Sequence, residues 1–362
     1  MTRPTGPTAP TLMRVEIGEQ PAALRRTLDV LLPRVPELAA FAGRSRQVLF
    51  VARGSSDNAA RYGRYLCEAW AGRLATPASP SIATIYRRRL DLAGVLAVGL
   101  SQSGRTEEIV ATLDWARDCG AATVAITNEA GSPLADTADA ALVTEAGPER
   151  ALPATKTYTA QLAALAVLGL ALGPDGAAAA GLRAAEFRAA LRRAPDATEA
   201  LLESAPAAEE LAAELAGVRG MVVSGRGYAS STAFELALKL QEACYLNATG
   251  LSYADLLHGP IAVVGPDTPT LLVAAGSGPT LLGVVRLAGQ VRASGARAYG
   301  IGGTELAAAC DRALPGPALP EELAPLALVV PGQLVVEALS RRLGIDPDTP
   351  RGLHKITQTD PG

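Results

Sequence analysis

Aromatic side chains, histidine, lysine and cysteine are all scarce in this 362-residue chain, and each shortage excludes something. Aromatics make up 4% of the residues against 49% hydrophobic, so any core must be built from aliphatic side chains and alanine. The four cysteines (Cys67, Cys119, Cys244 and Cys310) show neither a CxxC pair nor a metal-ligand spacing. They read as small buried hydrophobes of a reducing compartment. There is no basic block, and the net charge of −3 argues against a nucleic-acid partner. The longest strongly apolar run, 162–172, falls short of the ~20 residues that span a bilayer, so no membrane partner is expected. The opening dozen residues are rich in Pro and Thr and lack the apolar centre of a signal peptide. A disordered tail and a soluble, cytoplasmic protein are the expectations.

Lysine is the sharpest shortage. Of 33 basic residues only Lys156, Lys239 and Lys355 are lysines. Arginine serves wherever a plain surface cation would do, so the surviving compact amines mark positions where an arginine would not substitute. The two histidines, His258 and His354, are just as sparing.

What is present is organised around residues 96–108. An apolar run, Leu96 to Leu100, ends abruptly in Ser101-Gln102-Ser103-Gly104-Arg105-Thr106, and an amphipathic segment follows to Cys119. This is the pattern of a buried parallel strand, a tight turn and a helix N-terminus. The turn leaves backbone N–H groups unpaired beside the positive end of the helix dipole. A helix cap needs one hydroxyl, whereas Ser101, Ser103 and Thr106 all converge here with the Gln102 amide. The loop therefore reads as a phosphate site with neutral donors.

Strands are expected at 47–52, 81–86, 122–127 and 140–144, with helices at 13–32, 58–70 and 154–172. Residues 53–57 form a second Gly/Ser turn. Alternation at this spacing predicts a doubly wound parallel sheet, whose ligands sit beyond the carboxyl ends of the strands. Residues 173–206, rich in Ala, Gly and Pro and with helical pieces, read as the connection between domains. The pattern then restarts, with strands at 220–224, 270–275 and 296–301 and helices at 231–247 and 281–293. Leu96-Ala97-Val98 answers Leu271-Leu272-Val273 at an offset of about 175, and the next strands align likewise. The chain reads as a tandem duplication. The second copy lacks the Gln and Thr of the loop, which predicts one phosphate site, in the first half.

On the helix 231–247, Glu235, Lys239 and Glu242 stand four and three residues apart and share one face. The remaining positions are nearly all apolar, so this charged stripe is expected to face a cleft. A carboxylate there would have a raised pKa suited to proton transfer. A simple Glu–Lys helix pair is the alternative reading of the same spacing. His258 precedes a Gly-Pro turn. The closing segment, 346–359, is broken by two prolines and carries His354 and Lys355, and is expected to fold back over the site.

Together these motifs resemble the sugar isomerase (SIS) domain family. The carriers are Gly54-Ser55-Ser56, the 101–106 loop, Gly147-Pro148-Glu149 with Thr155-Lys156, the Glu235/Lys239/Glu242 helix, His258-Gly259-Pro260 and the 350–355 tail. The resemblance is to the isomerase half of glutamine–fructose-6-phosphate amidotransferases. It implies an α/β fold of two tandem SIS domains, each a parallel sheet flanked by helices in the flavodoxin-like, doubly wound arrangement. The implied division is a tail at 1–12, a first domain at 13–190, a second at 191–345 and a closing tail at 346–362. It implies a homodimer and a phosphosugar substrate, with no metal or other cofactor. Ser56, Ser101, Gln102, Ser103 and Thr106 would hold the phosphate, and Gly54, Ser55, Leu152, Ala154 and His354 would line the pocket. Glu242 would shuttle a proton between C1 and C2, Lys355 would contact the carbonyl end, and His258 of a neighbouring subunit would open the ring. Glu235 and Lys239 complete the implied catalytic group.

Two departures shape the functional expectation. No glutaminase segment precedes the match, and Ala154 stands where the amidotransferases carry serine. Both features are similar to stand-alone glucosamine-6-phosphate deaminases. The alternatives are a deaminase for another amino-sugar phosphate, a fructosamine-phosphate deglycase, an amidotransferase isomerase subunit and a non-catalytic sugar-phosphate sensor.

Overall fold

A computed structural model of the chain describes residues 9–173 and 182–358. The first eight positions of the expected tail lie outside the described residues. Thr11 and Leu12 belong to a helix and its cap, the Thr11 hydroxyl accepting from the Arg14 amide.

The first half begins with three helices, α1 (Leu12–Gly18), α2 (Gln20–Leu31) and α3 (Val35–Ala42). There follow β1 (Gln47–Val51), α4 (Gly54–Tyr65), β2 (Leu74–Pro77), the single turn α5 (Ser81–Thr84), β3 (Val95–Leu100) and α6 (Glu107–Asp118). The half closes with β4 (Ala122–Thr127), α7 (Pro133–Thr137), β5 (Ala140–Val143) and α8 (Lys156–Leu172). The second half repeats the plan with α9 (Leu182–Leu201), α10 (Ala205–Leu215), β6 (Gly220–Gly225), α11 (Ala229–Cys244), β7 (Asn247–Ser252) and α12 (Tyr253–Leu257). It ends with β8 (Thr270–Val273), α13 (Leu281–Ala293), β9 (Ala298–Gly302), α14 (Thr304–Ala309), β10 (Arg312–Pro315) and α15 (Pro325–Arg342).

Both sheets are five-stranded and wholly parallel, in the orders β2-β1-β3-β4-β5 and β7-β6-β8-β9-β10. The orders are the same topology written twice, with the switch point between β1 and β3 in one sheet and β6 and β8 in the other. The fold is thus α/β with two parallel sheets flanked by helices. Register refines the expected offset. Leu96 pairs with Ala122, 26 positions on, and Thr270 with Ala298, 28 on. The two extra residues are an even number, so side-chain alternation stays in phase.

The 173–206 segment is not a mere connection. Residues 174–181 lie outside the described residues; the rest holds α9, which packs on α2 and α15, and leads into α10, which packs on α15, as α2 and α3 pack on α8. The duplicated unit therefore includes a pair of helices ahead of its first strand. Phe187, Leu191 and Ala194 form the buried stripe of α9 that the alanine-rich composition concealed. The strand expected at 81–86 is also corrected. Pro80 instead opens the helical turn α5, and the edge strand is β2, whose largely exposed residues carry no burial pattern. Likewise α4 begins at Gly54 rather than Asn58, so the second Gly/Ser turn is the helix's own first turn.

Helices α8 and α15, one from each half, are buried along nearly their whole length and form the shared core with α2, α4, α9 and α11. An all-round apolar helix needs cover on every side, and each half supplies it for the other. Among the described residues no helix is long and apolar enough to cross a membrane.

Candidate active site

The two Gly/Ser loops lie where the parallel order reverses. Gly54 adopts φ +57° at the end of β1, and Gly104 adopts φ +62° in the loop after β3. A Cβ on Gly104 would lie 2.1 Å from Ser132 Oγ, so only glycine lets the loop close. Ser101 Oγ accepts from the Gly104 amide at 3.2 Å and lies 3.3 Å from Thr106 Oγ1. Thr106 holds the N-cap position of α6 without using its hydroxyl as a cap, leaving that group to the loop. Between the loops lies a crevice of about 370 Å³, bordered by Gly54, Ser56, Ser101, Gln102, Ser103 and Thr106. Lys355 and Thr357 of the closing segment form its far wall. A smaller adjoining space of about 100 Å³ is lined by Ser55, Leu152, Ala154, Tyr158, Glu149 and Lys355, among others.

Glu149 organises that wall. It is buried and accepts from the Thr155 amide (2.9 Å), the Thr157 amide (3.1 Å) and the Thr157 hydroxyl (2.5 Å) at the N-terminus of α8. Lys355 Nζ approaches the same carboxylate at 3.1 Å and donates to the Ala151 carbonyl at 2.7 Å. Burial alone would raise this carboxyl, but the Lys355 ammonium and the three donors hold it below the usual range. Farther along the segment, the Gln358 side chain accepts from the Glu107 amide at 3.0 Å and donates to the Arg105 carbonyl at 3.3 Å. It thus caps α6 beside the 101–106 loop.

The charged stripe of α11 does not open on a cleft along its length. Glu235 and Lys239 are buried beneath α4, and only Glu242 keeps partial exposure, 20% of its side chain. Lys239 hydrogen-bonds Glu242 and stands 3.5 Å from Glu235. Asn58 of α4 donates to Glu235 Oε2 at 2.9 Å, while Oε1 faces Lys239 Nζ at 3.5 Å, with Ser55 also interacting with the carboxylate. Burial pushes the Glu235 carboxyl up to about 7 against the pull of Lys239 and Asn58. Burial works against the Lys239 charge too, but Glu242 and Glu235 overcome it and hold the ammonium above its ordinary value.

The other expected residues are placed as follows. Ser56 receives a hydrogen bond from Gln161 at 3.0 Å. His258 and His354 are exposed, and neither borders the crevice. Lys156 is buried and paired with Glu19 of the N-terminal helices, away from the loop. All three lysines are therefore ion-paired with carboxylates, none in the same way. Asn58, Gln161 and Tyr158 went unread in the sequence. Glu149 was visible inside its Gly-Pro-Glu motif, but nothing local announced its pairing with a residue 206 positions away.

Comparison with known proteins agrees with this architecture. The SIS domain family model matches residues 43–171 and again 214–339. The chain is 36% identical over 358 residues to the isomerizing glutamine–fructose-6-phosphate aminotransferase of Symbiobacterium thermophilum, with 95% of this chain and 58% of that protein aligned. The chain thus spans a little over half the length of that relative. In structure it is similar to the C-terminal domain of glucosamine-fructose-6-phosphate aminotransferase from Francisella tularensis (TM-score 0.86, 24% identity, 97% of this chain and 100% of that one). It is also similar to glucosamine-6-phosphate deaminase from Thermotoga maritima (TM-score 0.75, 22% identity, 96% and 100%). At those identities the two structures speak for the fold. Two matched units, two sheets of one topology and a hydroxyl-rich loop at the first switch point lead to one conclusion: the chain belongs to the SIS domain family.

Proposed function

We propose that the chain is a phosphosugar enzyme that converts D-glucosamine 6-phosphate and water to D-fructose 6-phosphate and ammonia. The observation that carries this reading is a hydroxyl-rich loop and the Lys355 ammonium on facing walls of one crevice, with a largely buried Glu–Lys–Glu group behind it. A neutral-donor loop suited to a phosphate faces Lys355, and the Glu235/Lys239/Glu242 group lies behind α4, joined to the crevice through Ser55 and Asn58.

In this reading Ser101, Gln102, Ser103, Thr106 and Ser56 hold the phosphate. Glu242 carries the proton from C2 to C1, with Lys239, hydrogen-bonded to it, holding it in place. Glu235, whose carboxyl is half-protonated near neutral pH, and Lys355 assist hydrolysis of the resulting imine. Leu152, Ala154, Ser55 and Gly54 shape the sugar pocket. His258 stands on an exposed turn, with Gly259 at φ +123°, and serves ring opening in a second copy of the chain. The protein then works as a homodimer. The chain divides into a first unit with its N-terminal helices, a second unit and a closing segment, drawn at 13–190, 191–345 and 346–362, with the first boundary moved ahead of α9 so that this helix stays whole in the second unit. The closing segment acts as a cover.

The similarity to an aminotransferase favours a second reading, in which the same site aminates fructose 6-phosphate as an isomerase subunit. Both readings share the phosphate loop and the proton shuttle. The test is ammonia release from purified protein given glucosamine 6-phosphate, with galactosamine 6-phosphate and a fructosamine phosphate in parallel. Ammonia with fructose 6-phosphate from the first alone supports the deaminase. Release from another substrate alone moves the specificity, and binding without release from any sinks the enzyme reading in favour of a sensor.

A further inference from the structure

The second sheet has its own switch point, between β6 and β8, and that crevice is filled. The loops there are Gly225-Arg226-Gly227-Tyr228 after β6 and Gly276-Ser277-Gly278-Pro279-Thr280 after β8, in the places that the Gly/Ser loops hold after β1 and β3. Thr280 heads α13 as Thr106 heads α6, although the sequence offset gave this copy no threonine there. Gly227 adopts φ +62°, close to the +57° of Gly54. The occupant is the side chain of Glu321, a residue in the stretch joining β10 to α15 that is only 7% exposed. Its Oε1 accepts from Thr280 Oγ1 at 2.5 Å, at the head of α13. A Cβ on Gly278 would fall 2.1 Å from Oε2, and one on Gly227 would fall 3.2 Å from Oε1. Both loops thus carry glycine where any side chain would meet this carboxylate. Glu321 has no Lys or Arg partner among the described residues. The carboxylate is met by the Thr280 hydroxyl and by loop backbone, with Glu322 as a neighbouring like charge. Hydroxyl and backbone are also what the 101–106 loop presents, although Arg53 and Lys355 border that first crevice as well. The stretch that bears it is anchored, since Tyr62 of α4 donates to the Glu322 carbonyl at 2.8 Å.

We propose that the second unit retains an oxyanion cradle at its switch point and that the chain fills it with its own Glu321 carboxylate. The duplicated chain therefore takes one phosphate rather than two, and removing the Glu321 side chain opens a site for a phosphate-type oxyanion. This rests on reading the 101–106 loop as the phosphate site, and the test separates the two.

Glu321→Ala and the unaltered protein are crystallised and soaked in selenate, whose anomalous signal counts bound oxyanions. The expected result is one selenate per chain at Ser101–Thr106 in the unaltered protein. Glu321→Ala should hold two, the second between Gly227 and Gly278. Inorganic phosphate should also raise the melting temperature of the variant more than that of the unaltered protein. A folded Glu321→Ala with no second selenate overturns the proposal. A selenate in the second crevice of the variant, with none at Ser101–Thr106 in either protein, upholds it and overturns the reading of the first loop. Glu321→Gln keeps the volume and removes the charge, and serves if the alanine variant does not fold. Burial and the neighbouring Glu322 hold the Glu321 carboxyl above its ordinary range against the Thr280 donors, so the decline in melting temperature from about pH 4.5 upward should be smaller in Glu321→Gln, and parallel curves would show a filler rather than an internal anion.

Discussion

Asn58 of the first half donates its side-chain amide to the buried Glu235 carboxylate of the second, at 2.9 Å. This bond joins α4, whose first turn borders the crevice, to α11, which carries the charged group. Asn58→Ala leaves a buried carboxylate oxygen without its donor. The expected loss is about 1–3 kcal/mol of stability, read from the midpoint of urea unfolding. An unchanged midpoint would mean that the Glu235 oxygen finds another donor at no cost.

Glu235 also gives stability a pH dependence of definite sign. Burial raises its folded-state value to about 7, above the ordinary 4.5. The folded chain then holds this proton more tightly than the unfolded chain does. Stability should fall as pH rises between about 4.5 and 7 and level off above. Glu149, depressed in the fold, acts with the opposite sign, its contribution present above about 4.5 and lost on acidification below it. The Glu235 term is isolated by comparing the unaltered protein with Glu235→Gln, which should lack the decline. Parallel stability–pH curves for the two proteins would refute it.

The closing segment is held at the crevice by Lys355 on Glu149 and Gln358 on α6. Glu149→Gln removes the charge that places the Lys355 ammonium. Turnover of glucosamine 6-phosphate should drop about 10²-fold, the cost of misplacing one group. Amide exchange across 351–358 should quicken in the same variant. Lost turnover with unchanged exchange would assign Glu149 a role apart from holding the segment.

Gly104 tests the proposal that the 101–106 loop holds the phosphate. Gly104→Ala meets both a positive φ and the Ser132 hydroxyl, so the loop must shift. KM should rise by about tenfold or more while kcat changes little, because phosphate binding is made equally in ground and transition states. A fall in kcat at constant KM would place the loop in the chemical step.

Glu242→Gln should abolish turnover, by about 10²- to 10⁴-fold for one general acid–base group, and leave phosphosugar binding nearly intact. Calorimetric titration with fructose 6-phosphate separates the outcomes, since lost binding would remove Glu242 from the proton-transfer role.

What the sequence made legible follows from range. Runs such as Val95–Leu100 and Ala122–Thr127 are buried on both faces, and their uninterrupted apolar character marked the parallel strands and the repeat. The 101–106 loop was readable because its hydroxyls, its glycine and its helix are neighbours along the chain. The edge strand Leu74–Pro77 was not, because it lacks a buried face to impose a pattern. Nor were the Asn58–Glu235 and Glu149–Lys355 contacts, whose partners lie 177 and 206 positions apart. Helical spacing placed Glu235 and Lys239 on one face of α11, but only tertiary packing decides that α4 covers that face.

The economy of lysine has a practical consequence. The side chains of Lys156 and Lys239 are 3% and 1% exposed, whereas that of Lys355 is 28% exposed. Among lysine side chains, an amine-directed reagent thus meets a single accessible target, and that target sits on the wall of the crevice. Its labelling rate becomes a clock for the segment's opening and closing.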